Sequence, residues 1–468
     1  MGPTLVYHAP AEQLPHLRKR FSTPGVVTST RSGWISPRRA EDRHSTNSGA
    51  STSSKRYAAS QRPSTPASAF PDIEWDPSLE TYLSRVEKLA SLRESLPQAV
   101  PDGFPTTIES ARTWQGADFE DDCTYVYSLS ADDLDEIDTA LQAFKEQFAS
   151  YPSPELITPE TFPLPNLASK LTHVSHVIHT GQGFFVIRGL DPHRYPPLER
   201  VLAYVGVTSY IGRTRACQDA GGSRLIHIKD RGMAFPGAEM RQAPYSNVQQ
   251  PFHTDACDIL VMYVQELAAE GGHFKLASSA KIYNDIAATR PDVIHTLAAD
   301  EWIFDKFSSD GPPAWEVRPI LLPFGPAHGP SFFYSRRPLT GSPVAPHTPG
   351  VPPMTERQAE ALDMVHFTAV ENQLSLKARR GDIIVVNNLA VMHARDTFVD
   401  DVSDDSKRRH VLRLWLRNEE LQWPKPDAIK PILDLKYDAD SPWCRDSLWH
   451  LEPPTLPERL LARRFTCS

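Results

Sequence analysis

The chain has only five cysteines in 468 residues: Cys123, Cys217, Cys257, Cys444 and Cys467. They are scattered and odd in number, and no C-x-x-C pair occurs, so neither a zinc site nor a disulfide framework is expected. No apolar run is long enough to span a membrane, and no signal-peptide pattern opens the chain. Net positive charge is missing too. The formal net charge is −9, whereas a nucleic-acid binder normally carries a basic patch or stripe. Glycine is sparse, with 23 residues against 43 prolines. Proline concentrated in loops is tolerated better by a loop-rich β architecture than by a helical bundle. These absences point to a reducing, cytoplasmic compartment. They leave a small molecule as the expected partner, with no nucleic acid and no membrane.

Hydrophobic residues make up 40% of the chain and charged residues 23%, so a substantial core can form. The length suits one large domain with extensions or two smaller ones. Residues 1–70 stand apart, with ten Lys or Arg and only three acids, Glu12, Glu41 and Asp42. They carry a formal +7 against the chain's −9, leaving −16 for the rest. The expectation is a disordered basic, Ser- and Pro-rich tail. The competing reading is a mitochondrial transit peptide, but Met1 to Pro15 lack the arginine-studded amphipathic face such a helix needs. The remaining boundaries are a helical region at 71–160, a catalytic domain at 161–425 and a C-terminal extension at 426–468.

Helical spacing of apolar residues predicts helices over 79–97 and 131–149, around 198–205, and near 279–289 and 355–370. Acids crowd the first turn of the second, where the helix dipole favours them. The other apolar runs are short: 183–189, 225–228, 259–264, 331–334, 383–386 and 411–416. Many short strands with Gly and Pro punctuation predict a mainly β protein with flanking helices, in a sandwich or jelly roll. No internal repeat is found.

Against this background four residues matter most. His253 and Asp255 stand in Pro-Phe-His-Thr-Asp. On a strand, side chains two apart share a face, so both can grip one metal. His393 follows the β-branched run Ile383–Val386, and Arg409 opens Arg-His-Val-Leu-Arg-Leu-Trp-Leu-Arg. Among 17 histidines one His-x-Asp is expected by chance, and a lone His after a strand is more often a core residue. The order carries the signal: early His-x-Asp, late His, then Arg on the next strand. Two His and one carboxylate hold Fe(II) on one face and leave the other positions open. A following Arg can grip the far carboxylate of 2-oxoglutarate. Period two puts Arg409, Val411, Arg413, Trp415 and Arg417 on one face and His410, Leu412, Leu414 and Leu416 on the other. Either the leucines point inward with the arginines in water, or the arginines line a cavity with the leucines under another layer.

The blocks Thr161-Phe-Pro-Leu-Pro, Gly183-Phe-Phe-Val-Ile-Arg-Gly, Pro251-Phe-His-Thr-Asp, Gly381-Asp-Ile and Arg409-His-Val-Leu-Arg-Leu-Trp-Leu-Arg resemble, in order, the taurine dioxygenase family of Fe(II)- and 2-oxoglutarate-dependent oxygenases, the TauD/TfdA-like or clavaminate synthase-like branch. The resemblance implies a double-stranded β-helix (jelly-roll) core, with His253, Asp255 and His393 as catalytic iron ligands. It implies Arg409 as the cosubstrate anchor. Arg413 matches a position that can bind an anionic substrate group or assist the cosubstrate. The implied reaction is oxidation, most simply hydroxylation, of a small organic substrate by O2, with release of succinate and CO2. Desaturation, epoxidation or ring closure would use the same site. One departure stands out. Phe274 in Gly271-Gly-His-Phe-Lys occupies the position where the family often has a Thr or Ser hydroxyl for 2-oxoglutarate. Ser278 or Lys275 substitutes for it, or the contact is missing. Two other classes stay open at this point: a non-catalytic jelly-roll binding protein, and a hydrolase or isomerase using the same ligands with another metal.

Overall fold

The computed structural model describes residues 6–8, 73–231, 244–307, 314–342 and 345–453. The expectation for residues 1–70 lies outside them, apart from Val6–His8. Thirteen strands of the described residues build two sheets: β1 (Val6–His8), β2 (Val126–Ser128), β3 (Phe184–Arg188), β4 (Thr214–Arg215), β5 (Ser223–Ile228), β6 (Gln250–His253), β7 (Ile259–Glu266), β8 (Phe274–Ser278), β9 (Leu374–Ser375), β10 (Ile383–Asn387), β11 (Val391–Arg395), β12 (His410–Arg417) and β13 (Leu448–His450). The large sheet runs β1-β13-β5-β12-β7-β10-β3-β2, with β4 also on β12. The small sheet runs β9-β8-β11-β6.

The central strands are buried on both faces, which is why β7 and β10 read as nearly unbroken apolar runs rather than alternating ones. On one face Val261 and Tyr263 of β7, Ile383 and Val385 of β10, and Leu412, Leu414 and Leu416 of β12 pack beneath three helices. These are α2 (Ala131–Gln147), α3 (Leu167–Thr180) and α4 (Pro197–Thr208), which contribute Ile137, Leu141, Leu171, Val174, Val201 and Val205. On the other face Leu260, Met262, Ile384, Val386, Val411 and Trp415 meet Phe274, Leu276 and Val391 of the small sheet. At about 1.5–3 kcal/mol per fully buried large apolar side chain, this two-sided burial is the main force holding the layers together. A third cluster covers the outer face of the small sheet with α5 (Ser279–Thr289), α6 (Pro291–Ala298) and α7 (Glu356–Glu371).

The observed protein is thus mainly β with helices outside. Local chemistry explains the helix starts. Ser130 with Asp133 and Thr355 with Gln358 form reciprocal capping boxes at α2 and α7. The expected helix over 79–97 is shorter: α1 (Leu79–Leu89) tightens into a 3-10 stretch over Ala90–Ser95. Several elements went unread in the sequence, among them α3, whose apolar spacing follows two prolines, α6, which starts at a proline straight after α5, and β8.

Candidate metal centre

β6 and β11 are antiparallel neighbours, and His393 lies directly opposite His253. Direct cross-strand partners share a face and sit close, so pairing alone brings the two imidazoles together, with ring centroids 4.1 Å apart. Asp255 arrives differently. The expectation of one strand carrying both ligands is corrected, because β6 ends at His253. Thr254 turns its backbone N–H to the Tyr334 carbonyl at 2.9 Å. The Asp255 N–H then donates to Asn388 Oδ1 at 2.8 Å, while Asn388 Nδ2 donates to the carbonyls of Asp255 and Cys257. Asn388 therefore moulds the loop that carries the carboxylate. It follows β10, and nothing in its local sequence announces that role.

His253, Asp255 and His393 each offer an atom within 4.8 Å of the others. His253 Nε2 is 3.8 Å and His393 Nε2 4.0 Å from Asp255 Oδ1. His253 Nδ1 donates to the Pro251 carbonyl at 2.8 Å, which fixes the tautomer and leaves the Nε2 lone pair facing the centre. Burial depresses both imidazoles, His393 to about 3, so both are neutral donors. Burial alone would raise Asp255. Arg413, both histidines and the Trp415 N–H outweigh it and hold the carboxyl below its ordinary range. Arg413 Nη1 and Trp415 Nε1 both donate to Asp255 Oδ2, at 2.9 and 3.0 Å. Asp255 Oδ1 is buried with no hydrogen-bond partner. A buried carboxylate oxygen without a partner is costly, and its position toward two neutral imidazoles suits a divalent cation.

Beside His253 and His393 is a narrow cavity of about 30 Å³, lined also by Phe274, Lys275, Arg409 and Arg413. Arg409 is 2% exposed. Its Nε donates to the Gly272 carbonyl at 3.3 Å, and its Nη1 has no partner. Burial, with Arg395 nearby, lowers it to about 9. A guanidinium in that state calls for an anion. Gly272, at φ +69°, makes room for it, since a Cβ there would meet Arg409 Cδ at 3.0 Å. Phe274 keeps its strand register and lies under Arg409, with the guanidinium carbon 4.8 Å from the ring centre. Ser278 is occupied elsewhere, capping α5 through the Lys281 N–H, and Lys275 pairs with Asp396 at 3.0 Å.

Of the two readings of β12, the arginines line the cavity and the leucines lie under helices. Arg413 faces the cavity, but its bonds go to Asp255 and to Gln218 Oε1, the latter at 2.8 Å. Gln218 and Trp415 were not read as site residues, because their partners lie 195 and 160 residues away. His227 pairs with His410 on the opposite face of the sheet. Arg395 donates to the carbonyls of Ser246 and Val248, and Arg336 bonds Asp363.

Two imidazoles, one carboxylate and a lone buried guanidinium make up the donor set of a mononuclear non-heme iron oxygenase. Comparison with known proteins agrees. The family model "Taurine catabolism dioxygenase TauD, TfdA family" matches residues 149–415, more than half the chain. The chain is 37% identical over 339 residues to the taurine hydroxylase-like protein SAT17 of Stachybotrys chartarum, covering 71% of this chain and 86% of that one. It is 25% identical over 315 residues to FR-33289 synthase of Streptomyces rubellomurinus, covering 67% and 91%. A solved asparagine oxygenase in complex with Fe(II), 2S,3S-3-hydroxyasparagine and succinate is similar at TM-score 0.47 and 16% identity, covering 63% of this chain and 93% of that one. The chain belongs to the TauD/TfdA family. It is an Fe(II)- and 2-oxoglutarate-dependent dioxygenase, a class whose cosubstrate is O2.

Proposed function

We propose that the enzyme hydroxylates a small organic molecule, with His253, Asp255 and His393 holding Fe(II) and Arg409 gripping the far carboxylate of 2-oxoglutarate. The observation that carries this reading is a partnerless buried Asp255 oxygen set against His253 and His393, two residues that line one cavity with Arg409, whose buried Nη1 is also partnerless. The two facing sheets are read as a double-stranded β-helix, with residues 161–425 as the catalytic unit. Bound Fe(II) and 2-oxoglutarate supply the activation of O2, and the overall reaction converts C–H to C–OH as 2-oxoglutarate becomes succinate and CO2. The protein's part is orientation and exclusion. The Pro251 carbonyl sets the His253 tautomer. Arg413 and Trp415 restrain one oxygen of Asp255 and leave the other for metal. Phe274 and Phe398 flank the Arg409 guanidinium, and Leu260 and Met262 keep the cavity apolar between its charges. The non-catalytic alternative rested on Phe274, whose stacking on Arg409 gives it a place in an anion site.

The test is spectroscopic. Fe(II) and then 2-oxoglutarate added to apo-protein without oxygen should produce a visible charge-transfer band. His253→Ala should lose the band and all turnover. Arg409→Ala should weaken 2-oxoglutarate binding by about 10- to 150-fold, the value of about 1.5–3 kcal/mol for a charge-assisted contact. Full activity in His253→Ala, or unchanged cosubstrate affinity in Arg409→Ala, would sink the assignment.

A further inference from the structure

Asp255 separates two spaces. Behind it is the cavity that holds Arg409. In front of it is a larger chamber of about 270 Å³, with Thr254, Asp255 and Ala256 at its base. Phe304, Phe333 and Tyr334 form one wall, and Ile432, Leu435 and Trp443 form the other. The second wall lies beyond residue 415, where the family match ends.

Of the charged side chains lining this chamber Lys306 is exposed, whereas Asp305, Glu316 and Arg318 are engaged with the protein. Asp305 accepts from the backbone N–H groups of Phe307 and Thr348 and from the Thr348 hydroxyl. Arg318 pairs with Glu316 at 3.0 Å, donates to the Phe333 carbonyl at 2.7 Å and stacks on Phe304. Lys436 lies over the rings of Trp443 and Trp415, at 4.2 and 5.0 Å. Arg413, at the position suited to an anionic substrate group, is committed to Asp255 and Gln218. Pockets of this kind take ligands by apolar area, and a few placed polar groups fix orientation.

We propose, building on the function above, that the chamber takes a bulky, mostly apolar substrate, and that small amino acids and amino sulfonates are not its substrates. The breadth of the chamber, its aromatic and aliphatic walls and the commitment of Asp305, Glu316, Arg318 and Arg413 to protein partners favour that class. A taurine-sized zwitterion would leave most of the apolar wall wet and would find its cationic partner at Arg413 already paired.

The experiment uses the full chain with Fe(II) and 2-oxoglutarate, without oxygen. 1-Adamantanol and testosterone serve as apolar probes, and taurine and L-asparagine as polar ones. The expected result is a shift of the charge-transfer band with an apolar probe, with faster 2-oxoglutarate consumption once oxygen is admitted, and no response to the polar pair. Leu435→Trp, which fills the chamber, should lose the response to the apolar probe. The persisting band shows that this variant has folded. A shift with taurine or L-asparagine, or none with either apolar probe, overturns the proposal. Absence of the band itself instead overturns the iron and cosubstrate assignment on which it rests.

Discussion

Asp255 has two oxygens, and the protein treats them differently. Oδ2 receives Arg413 and Trp415, whereas Oδ1 receives nothing. Groups that orient a metal-binding carboxylate typically affect metal affinity by about 10- to 100-fold. Trp415→Phe removes one donor while keeping the ring, and should weaken Fe(II) binding by roughly that factor. Titration of apo-protein with Fe(II) or Co(II) measures it, and equal affinity in both proteins would show that the indole N–H is dispensable. Gly272 acts on the other side. Gly272→Ala strains the backbone and pushes on Arg409 and on Phe398 Cβ, each about 3.0 Å from the new methyl. The expected cost is about 1–2 kcal/mol, read as an approximately tenfold or greater rise in the 2-oxoglutarate Kd at unchanged iron affinity. His253, Asp255, His393 and Arg409 could be picked out as candidates from sequence because their order and residue types are restrictive. Asn388, Gln218 and Trp415 could not. An Asn that moulds a loop 133 residues away looks locally like any turn residue.

At the scale of elements, the buried strands and the capped helices were legible, because apolar periodicity and caps are local signals. Strand β12 shows where legibility stops. Its alternation was plain, but which face meets water depends on α2, α3 and α4 arriving over the leucines. Helix α3 was obscured by Pro163 and Pro165, which read as a loop. Helix α4 packs so closely that Gly206 lies against the Phe162 ring, and a Cβ there would come within 2.5 Å of it. Gly206→Ala should therefore destabilise the protein by about 1–3 kcal/mol through overpacking, although alanine is the better helix former. Urea denaturation decides between the two. A stabilised variant would mean that Phe162 moves aside without loss.

Across the whole molecule, Asp258 ties the core to the C-terminal segment. Its Oδ2 receives Arg417 at 2.8 Å and Lys425 at 2.9 Å, and its backbone N–H donates to the Tyr437 hydroxyl at 3.1 Å. Asp258→Ala would strand two largely buried cations. It should cost about 3–5 kcal/mol, the usual result of removing one partner from a buried pair. Thermal unfolding measures the loss, and a change below about 1 kcal/mol would place this network with ordinary surface pairs. The tether matters beyond stability. The oxidising centre draws on strands inside the family match, but one wall of the substrate chamber comes from Ile432, Leu435 and Trp443 outside it. One wall of the chamber thus lies outside the stretch that carries the chemistry, whereas its base and other wall lie within it. Descendants of this protein can exchange the tail wall and acquire new substrates without disturbing a single ligand of the metal. A chimera carrying a relative's tail would inherit that relative's taste and keep its own chemistry.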